Sequence, residues 1–432
     1  MKKHLVLRYS AVLFFFWFPL GMIIPISILF MQSRGLTLSQ CSLVMAVYSA
    51  AIIILELPSG TLADLWGRRR IYLLSQLFIL ASSTLMLFSR SLILLMLAQI
   101  CGGISRALSS GSLEAWFVDE YQKQSPEGNL QKTLAATNTV TLFSLALGTL
   151  TGGLLPDWFA SAPLSQSLGP FGLNLILNVA LNTSGFLFVW FFIEGDSAKN
   201  SAGREAGLTQ GFSGKAGALG TVFKQVLREP RRGRGIFLIL LANLAWGFGI
   251  SALEQLWQPR FRAILPPETG TWVFGLLSMG YFFAGMAGNL AAPGICRLFK
   301  QNYPRVLFLG RFFMGAYFFL LAGIRGPLLF SAVYLILFSH NGLGNSPQEA
   351  LFHRLIPSPA RATFLSVASL FIYIGSFPGV LAAGFLAESR SIPLAWIPAA
   401  SVLTLSAFLF LLVRDDRPRG KINPAPGVRT EG

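Results

Sequence analysis

Gly60-Thr61-Leu62-Ala63-Asp64-Leu65-Trp66-Gly67-Arg68-Arg69-Arg70 stands between two apolar runs, one ending in Glu56-Leu57-Pro58-Ser59, the next beginning at Ile71. Both runs have membrane length, so the stretch reads as a short loop joining two transmembrane helices. It carries one carboxylate, two glycines and three consecutive arginines. Three arginines beside a hydrophobic segment place the loop on the cytoplasmic side, where Lys and Arg are retained. One reading makes it a topological anchor. The other makes it a latch, with Gly60, Asp64, Gly67, Arg68 and Arg69 pairing charges at helix ends with neighbouring helices.

Composition supports the membrane reading. The chain has 432 residues, is 53% hydrophobic and only 12% charged, and carries 38 Phe. A soluble domain has about a quarter of its residues charged. The formal net charge of +16 raises the question of nucleic acid. In a chain this apolar, however, basic residues mark cytoplasmic loops facing anionic lipid. Cys41, Cys101 and Cys296 are far apart, which argues against a disulfide framework and a zinc site. The apolar segment from Tyr9 to Met31 lacks a small-residue cleavage site and is read as a retained first helix rather than a signal peptide.

A span needs about 20 apolar residues, and on that criterion the sequence predicts an all-α membrane protein of twelve helices. Six are predicted near 9–31, 39–59, 70–88, 91–116, 132–155 and 171–193, and six near 235–257, 271–293, 304–324, 327–346, 362–387 and 392–413. This divides the chain into a six-helix bundle over 1–193, a Gly-, Ser-, Lys- and Arg-rich cytoplasmic linker over 194–234, a second bundle over 235–413 and a cytoplasmic tail over 414–432. With both termini inside, the outer loops hold Arg34, Arg90, Arg260, Arg262, Arg325 and Arg390. Arg106 and Arg311 lie within helices, and the rest of the 34 Lys and Arg fall on the inner side. The halves echo each other at an offset of about 235: Glu114-Ala115-Trp116-Phe117 matches Glu349-Ala350-Leu351-Phe352, and Gly148 and Gly152 fall opposite Ala383-Gly384.

Several polar residues sit where hydrocarbon is expected. Arg106 lies ten residues before Trp116, about 15 Å deep at 1.5 Å per residue. An unpaired arginine there costs at least about 2.5 kcal/mol, so it needs a wet cavity or a carboxylate. Glu56 and Glu114 lie towards the cytoplasmic side, and either carries a proton or pairs with Arg68 to Arg70. Glu254 is read as a solvated cap. His340 and Asn341 occupy the repeat position of Arg106; histidine titrates near physiological pH, though one in a helix often makes a plain interhelix bond. Asn174, Asn178 and Asn182 recur every four residues and share a face, where interhelix hydrogen bonding is the preferred reading. Aromatic residues of the first and seventh helices, Trp246 among them, pack or face lipid; any in the cavity favour an amphipathic or aromatic ligand. No phosphate loop, metal cluster or nucleophile triad is visible, which makes an ATP-driven pump or hydrolase a poor reading.

The stretch from Gly60 to Arg70 resembles the signature loop between helices 2 and 3 of the major facilitator superfamily, with Leu65 where that family carries Arg or Lys. Gly148, Gly152 and Gly153 resemble the fifth-helix motif of its proton antiporters, with Ser144 and Thr149 in place of Gly and Pro. The fourth-helix arginine of its drug antiporters would fall at Ala98, so Arg106 lies two turns further in. The loop's counterpart, around Gly288 to Arg305, lacks an Asp. The resemblance implies two pseudo-symmetric bundles around a midplane site, with Arg106 and His340 facing each other across it. It implies a secondary transporter, not an enzyme, without cofactor or metal. It would export small amphipathic compounds in exchange for protons as a monomer in a bacterial cytoplasmic membrane, contacting substrate, protons and lipid but no nucleic acid. The alternatives are proton-coupled uptake of an anionic nutrient, favoured by Arg106 and His340, and a non-transporting receptor or assembly factor.

Overall fold

The computed structural model describes residues 2–110, 112–124, 129–193, 230–356 and 361–413. Among them, twelve helical spans are long and apolar enough to cross a membrane, and there is no strand. Spans 1 to 6 are His4–Ser33, Leu38–Trp66, Arg68–Phe88, Leu92–Gln124, Leu130–Phe159 and Gly172–Phe192. Spans 7 to 12 are Pro230–Ile264, Trp272–Leu298, Tyr303–Gly323, Pro327–Leu355, Arg361–Ser389 and Ile392–Leu412. An even number of spans returns the chain to the face on which it began. We call that the terminal face and the other the distal face.

The helices outrun the apolar segments because a helix satisfies its own backbone beyond the hydrocarbon as well as within it. The predicted loop Gly60–Arg70 therefore shrinks to one residue. Span 2 continues to Trp66, span 3 starts at Arg68, and between them Gly67 adopts φ 91°, ψ 138°, a conformation that favours glycine. Span 7 starts at Pro230, so the last five residues assigned to the linker are helical; 194–229 and 414–432 lie outside the described residues. Span 4 is broken into Leu92–Ser109 and Ser112–Gln124 rather than running as one helix over 91–116. Span 1 is interrupted by a 3-10 turn, Ile24–Ile26, at Pro25.

The spans form two bundles with the same internal pairing. In the first, span 1 packs on 5 and 6, span 4 on 2 and 3, and span 3 on 6. In the second, 7 packs on 11 and 12, 10 on 8 and 9, and 9 on 12. Each bundle has one backbone-to-backbone seam. A Cβ on Gly148 or Gly152 would collide with the carbonyl of Phe18 or Met22 in span 1; one on Gly375 or Gly379 would collide with that of Leu244 or Phe248 in span 7. The repeat is therefore in register at an offset of 231. Ser144, Gly148, Gly152 and Gly153 correspond to Gly375, Gly379, Ala383 and Gly384, four residues away from the alignment read from sequence.

The asparagine ladder of span 6 is structural, as expected. Pro156 has no N–H for the carbonyl of Gly152, and Asn174 Nδ2 donates to it instead at 2.8 Å. Asn178 Nδ2 donates to the carbonyl of Pro19 at 2.6 Å, and its Oδ1 accepts from Ser83 and Asn182. Contacts of this kind contribute about 0.6 kcal/mol each.

Gly148→Leu should destabilise the first bundle by at least about 1–3 kcal/mol, the usual cost of overpacking, and abolish transport. Gly323→Leu, with nothing within 4 Å of its Cβ, should stay within about 0.5 kcal/mol. Thermal unfolding followed by size-exclusion chromatography compares the two; equal stability would refute the seam.

Candidate functional site

Three contacts that join the bundles towards the distal face stand out, and two of them are the same contact made twice. On span 5, Gly153 lies against Gly275 of span 8, so close that a Cβ on Gly153 would lie 2.5 Å from the Gly275 backbone. One turn further on, the Asp157 carboxylate caps the start of span 8, accepting from the backbone N–H of Thr271 at 2.7 Å and Trp272 at 2.9 Å. On span 11, Gly384 lies against Ser42 of span 2. One turn further on, the Glu388 carboxylate accepts from the N–H of Ser39 at 2.7 Å, near the start of span 2. A glycine permits the approach, and a carboxylate four residues later meets the exposed donors of the other bundle's helix.

The third contact uses the break in span 1. The N–H of Ile28 would ordinarily reach the carbonyl of Ile24; instead the Gln258 amide of span 7 stands between them. Ile28 N–H donates to Gln258 Oε1 at 2.9 Å, and Gln258 Nε2 donates to Ile24 O at 2.6 Å. One side chain thus replaces a backbone bond and joins the bundles.

Below this seal, cross-bundle contacts continue along spans 2 and 11 to mid-depth. Ser49 and Ser376 hydroxyls are 3.5 Å apart. Arg106, about 21 Å along span 4 from Leu92, is coupled through its charge to Tyr373 on span 11 and to Tyr48 and Glu56 on span 2. It also lies over the Trp17 ring, 5.9 Å from guanidinium carbon to centroid. Ser369 of span 11 stands near Glu56. The arginine that cannot stand alone in hydrocarbon thus has a carboxylate and two phenols around it.

The structure brings the sequence candidates into two groups rather than one. Arg106 and Glu56 form the mid-depth cluster. Trp246, His340 and Asn341 line a cavity inside the second bundle, where Trp246 Nε1 donates to Asn341 Oδ1 at 2.8 Å and His340 Nδ1 is 2.9 Å from Ile336 O. Arg106 lines a separate cavity in the first bundle, so the expectation that Arg106 and His340 face each other across one site is replaced by two sites. Glu114 is exposed and interacts with Tyr9; it is Asp119, one turn further on, that pairs with Arg68, which also donates to Ala115 O at 2.6 Å. Arg69 donates to Trp190 O at 2.7 Å. These bonds tie the start of span 3 to the ends of spans 4 and 6. Gly60 lies inside span 2, and the Asp64 side chain lies outside the described residues.

Glu254 is exposed, as a solvated cap would be, but it does not stand at a helix end. It lies about 15 Å before the end of span 7 and opens into a cavity between the bundles, with the Tyr281 hydroxyl 3.5 Å from its carboxylate and Trp257, Gln258 and Tyr334 in the same wall. Sequence reading also passed over Tyr48, Tyr373, Asp157 and Glu388. The available signal was the paired spacing of a glycine and an acid four residues on, Gly153 to Asp157 and Gly384 to Glu388.

Two pseudo-repeated six-helix bundles, closed on one face and holding charged groups at mid-depth, define a membrane transporter. The chain belongs to the major facilitator superfamily, whose family model matches residues 9–379. It is 25% identical over 268 residues to the MFS-type transporter YxaM of Bacillus subtilis strain 168, a match covering 61% of this chain and 59% of YxaM. It is 24% identical over 293 residues to the quinolone resistance protein NorA of Staphylococcus aureus strain MRSA252, covering 66% of this chain and 67% of NorA. The crystal structure of the nucleoside transporter NupG superposes with a TM-score of 0.71 at 13% identity, covering 95% of this chain and 98% of NupG, and shares the fold.

Removing either distal cap should loosen the seal. Loss of a helix cap costs about 1 kcal/mol, so Asp157→Ala and Glu388→Ala should each raise the rate at which an impermeant maleimide added on the distal side labels a cysteine placed at Ser278 by about fivefold. The double variant should label faster than either. Unchanged labelling would show that the caps do not hold the face closed.

Proposed function

We propose that the chain exports small amphipathic compounds from the cytoplasm of a bacterium in exchange for protons, working as a monomer by alternating access. On this reading both termini are cytoplasmic, since the basic residues concentrate on the terminal face. The 1–193 and 235–413 bundles rock against each other, joined by the 194–234 linker. The observation that carries the reading is the Arg106, Glu56, Tyr48 and Tyr373 cluster. It lies at the bundle interface beneath a closed distal face, where opposed movement of the bundles would transfer it from one side to the other.

Glu56 and Glu254 are the proposed proton carriers, Glu56 partly buried beside Arg106 and Glu254 facing the cavity between the bundles. Arg106 acts as a fixed cation beside the Glu56 carboxylate, because guanidinium does not deprotonate in proteins. Aromatic walls around Glu254 suit an amphipathic ligand. The similarity to NorA supports export. The loop from Gly60 to Arg70 serves as the cytoplasmic latch when the terminal face closes, with Asp64 supplying charge at the end of span 2.

Everted membrane vesicles with a pH-sensitive dye test the exchange across a panel of compounds. Arg106→Lys should lose most of the proton flux, since an ammonium lacks the planar fork that meets a carboxylate and a phenol together. Asp64→Asn should insert normally but turn over more slowly. Wild-type flux in Arg106→Ala for every compound would remove the cluster from the mechanism, and a wild-type rate for Asp64→Asn in liposomes would remove the latch.

A further inference from the structure

Arg311 on span 9 is the second arginine buried in the helices, and its situation is the opposite of Arg106. It is 9% exposed, donates from Nη1 to Ala242 O at 3.1 Å and lies over the Phe410 ring, yet no carboxylate pairs with it among the described residues. It lines the second-bundle cavity together with Asn243, Trp246, Asn341 and Gln348. The amides there are arranged in one sense. Asn243 Oδ1 accepts from Gln348 Nε2 at 2.7 Å, and Asn341 Oδ1 accepts from the Trp246 indole. Both asparagines spend their acceptor on a neighbour and keep their Nδ2 donors, which bond to nothing among the described residues. A buried guanidinium without a counter-charge, beside two spare amide donors, is complementary to a group that brings negative charge and acceptors only. Buried charges are ordinarily paired, and a cavity-facing guanidinium held only by a carbonyl and a ring can be paired by a ligand carboxylate.

We propose that this cavity is an anion-recognition subsite for the transported compound. A carboxylate on the ligand would be held by Arg311 with the Asn243 and Asn341 amides, and the indole of Trp246 would flank its apolar part. The proposal rests on reading the interior of the protein as a substrate path, and narrows the substrates to amphipathic compounds bearing an acidic group. Arg106, already answered by Glu56, is not the residue that selects them.

The test is equilibrium binding to the full chain in lipid nanodiscs, using pyrenebutyrate and the uncharged pyrenebutanol and reading probe anisotropy. Wild type should bind the carboxylate about tenfold more tightly than the alcohol, roughly 1.4 kcal/mol. Arg311→Gln should erase that preference while keeping its affinity for the alcohol, which also shows that the variant is folded. Arg311→Lys should keep part of the preference, because it retains charge without the fork. Equal affinities in wild type would overturn the proposal without any variant, and so would a full carboxylate preference in Arg311→Gln. The assay reports binding, whereas export is read from vesicle flux, so the two readings can fail separately.

Discussion

The distal seal is the constraint on which the rest of the molecule depends. Helix backbones approach within contact distance only where side chains vanish, and Gly153 against Gly275 and Gly384 against Ser42 are such places. The two carboxylates one turn further on turn close packing into a directional contact, because each meets N–H donors that the helix start leaves free. Such a joint is strong when made and clean to break. When the helices part, its donors and acceptors return to water at the surface rather than to hydrocarbon.

From that joint the placement of the polar groups follows. Beneath the closed face, the facing sides of the two bundles carry Arg106, Glu56, Tyr373 and Glu254. Each is costly in a membrane interior. Each is tolerated because another group or a cavity answers it. The seams inside each bundle, Gly148 and Gly152 against span 1 and Gly375 and Gly379 against span 7, keep the helices of each bundle close. Rigid-body movement is then the softest motion available to the chain.

Sequence made the architecture legible because hydrocarbon imposes one strong rule, apolar length, on every span. Twelve runs, and the bias of Arg and Lys to alternate loops, could be read residue by residue. What escaped were features that depend on which face of a helix meets which neighbour. Gly60 to Arg70 reads as a loop because its charges and glycines suggest irregular backbone; the helices pass through it and only Gly67 breaks them. Glu254 looked like a surface cap because depth was judged from one helix, whereas spans 1, 8 and 10 enclose it. An offset of about 235 matches Arg106 with His340, but a repeat match places two residues in corresponding bundles and not opposite each other across one cavity. The asparagine ladder was read correctly because a four-residue spacing fixes a helix face by itself.

Pulsed electron spin resonance on two labelled pairs tests the central claim, that the bundles rock about a seal which opens as the other face closes. One pair spans the distal ends of the bundles, at Ser161 and Glu268, and the other the terminal ends, at Gln122 and Lys300. In nanodiscs moved from neutral to acidic buffer, the account predicts that the distal distance lengthens while the terminal distance shortens, with the two populations changing in step. Distances that stay fixed, or that lengthen together, would contradict it.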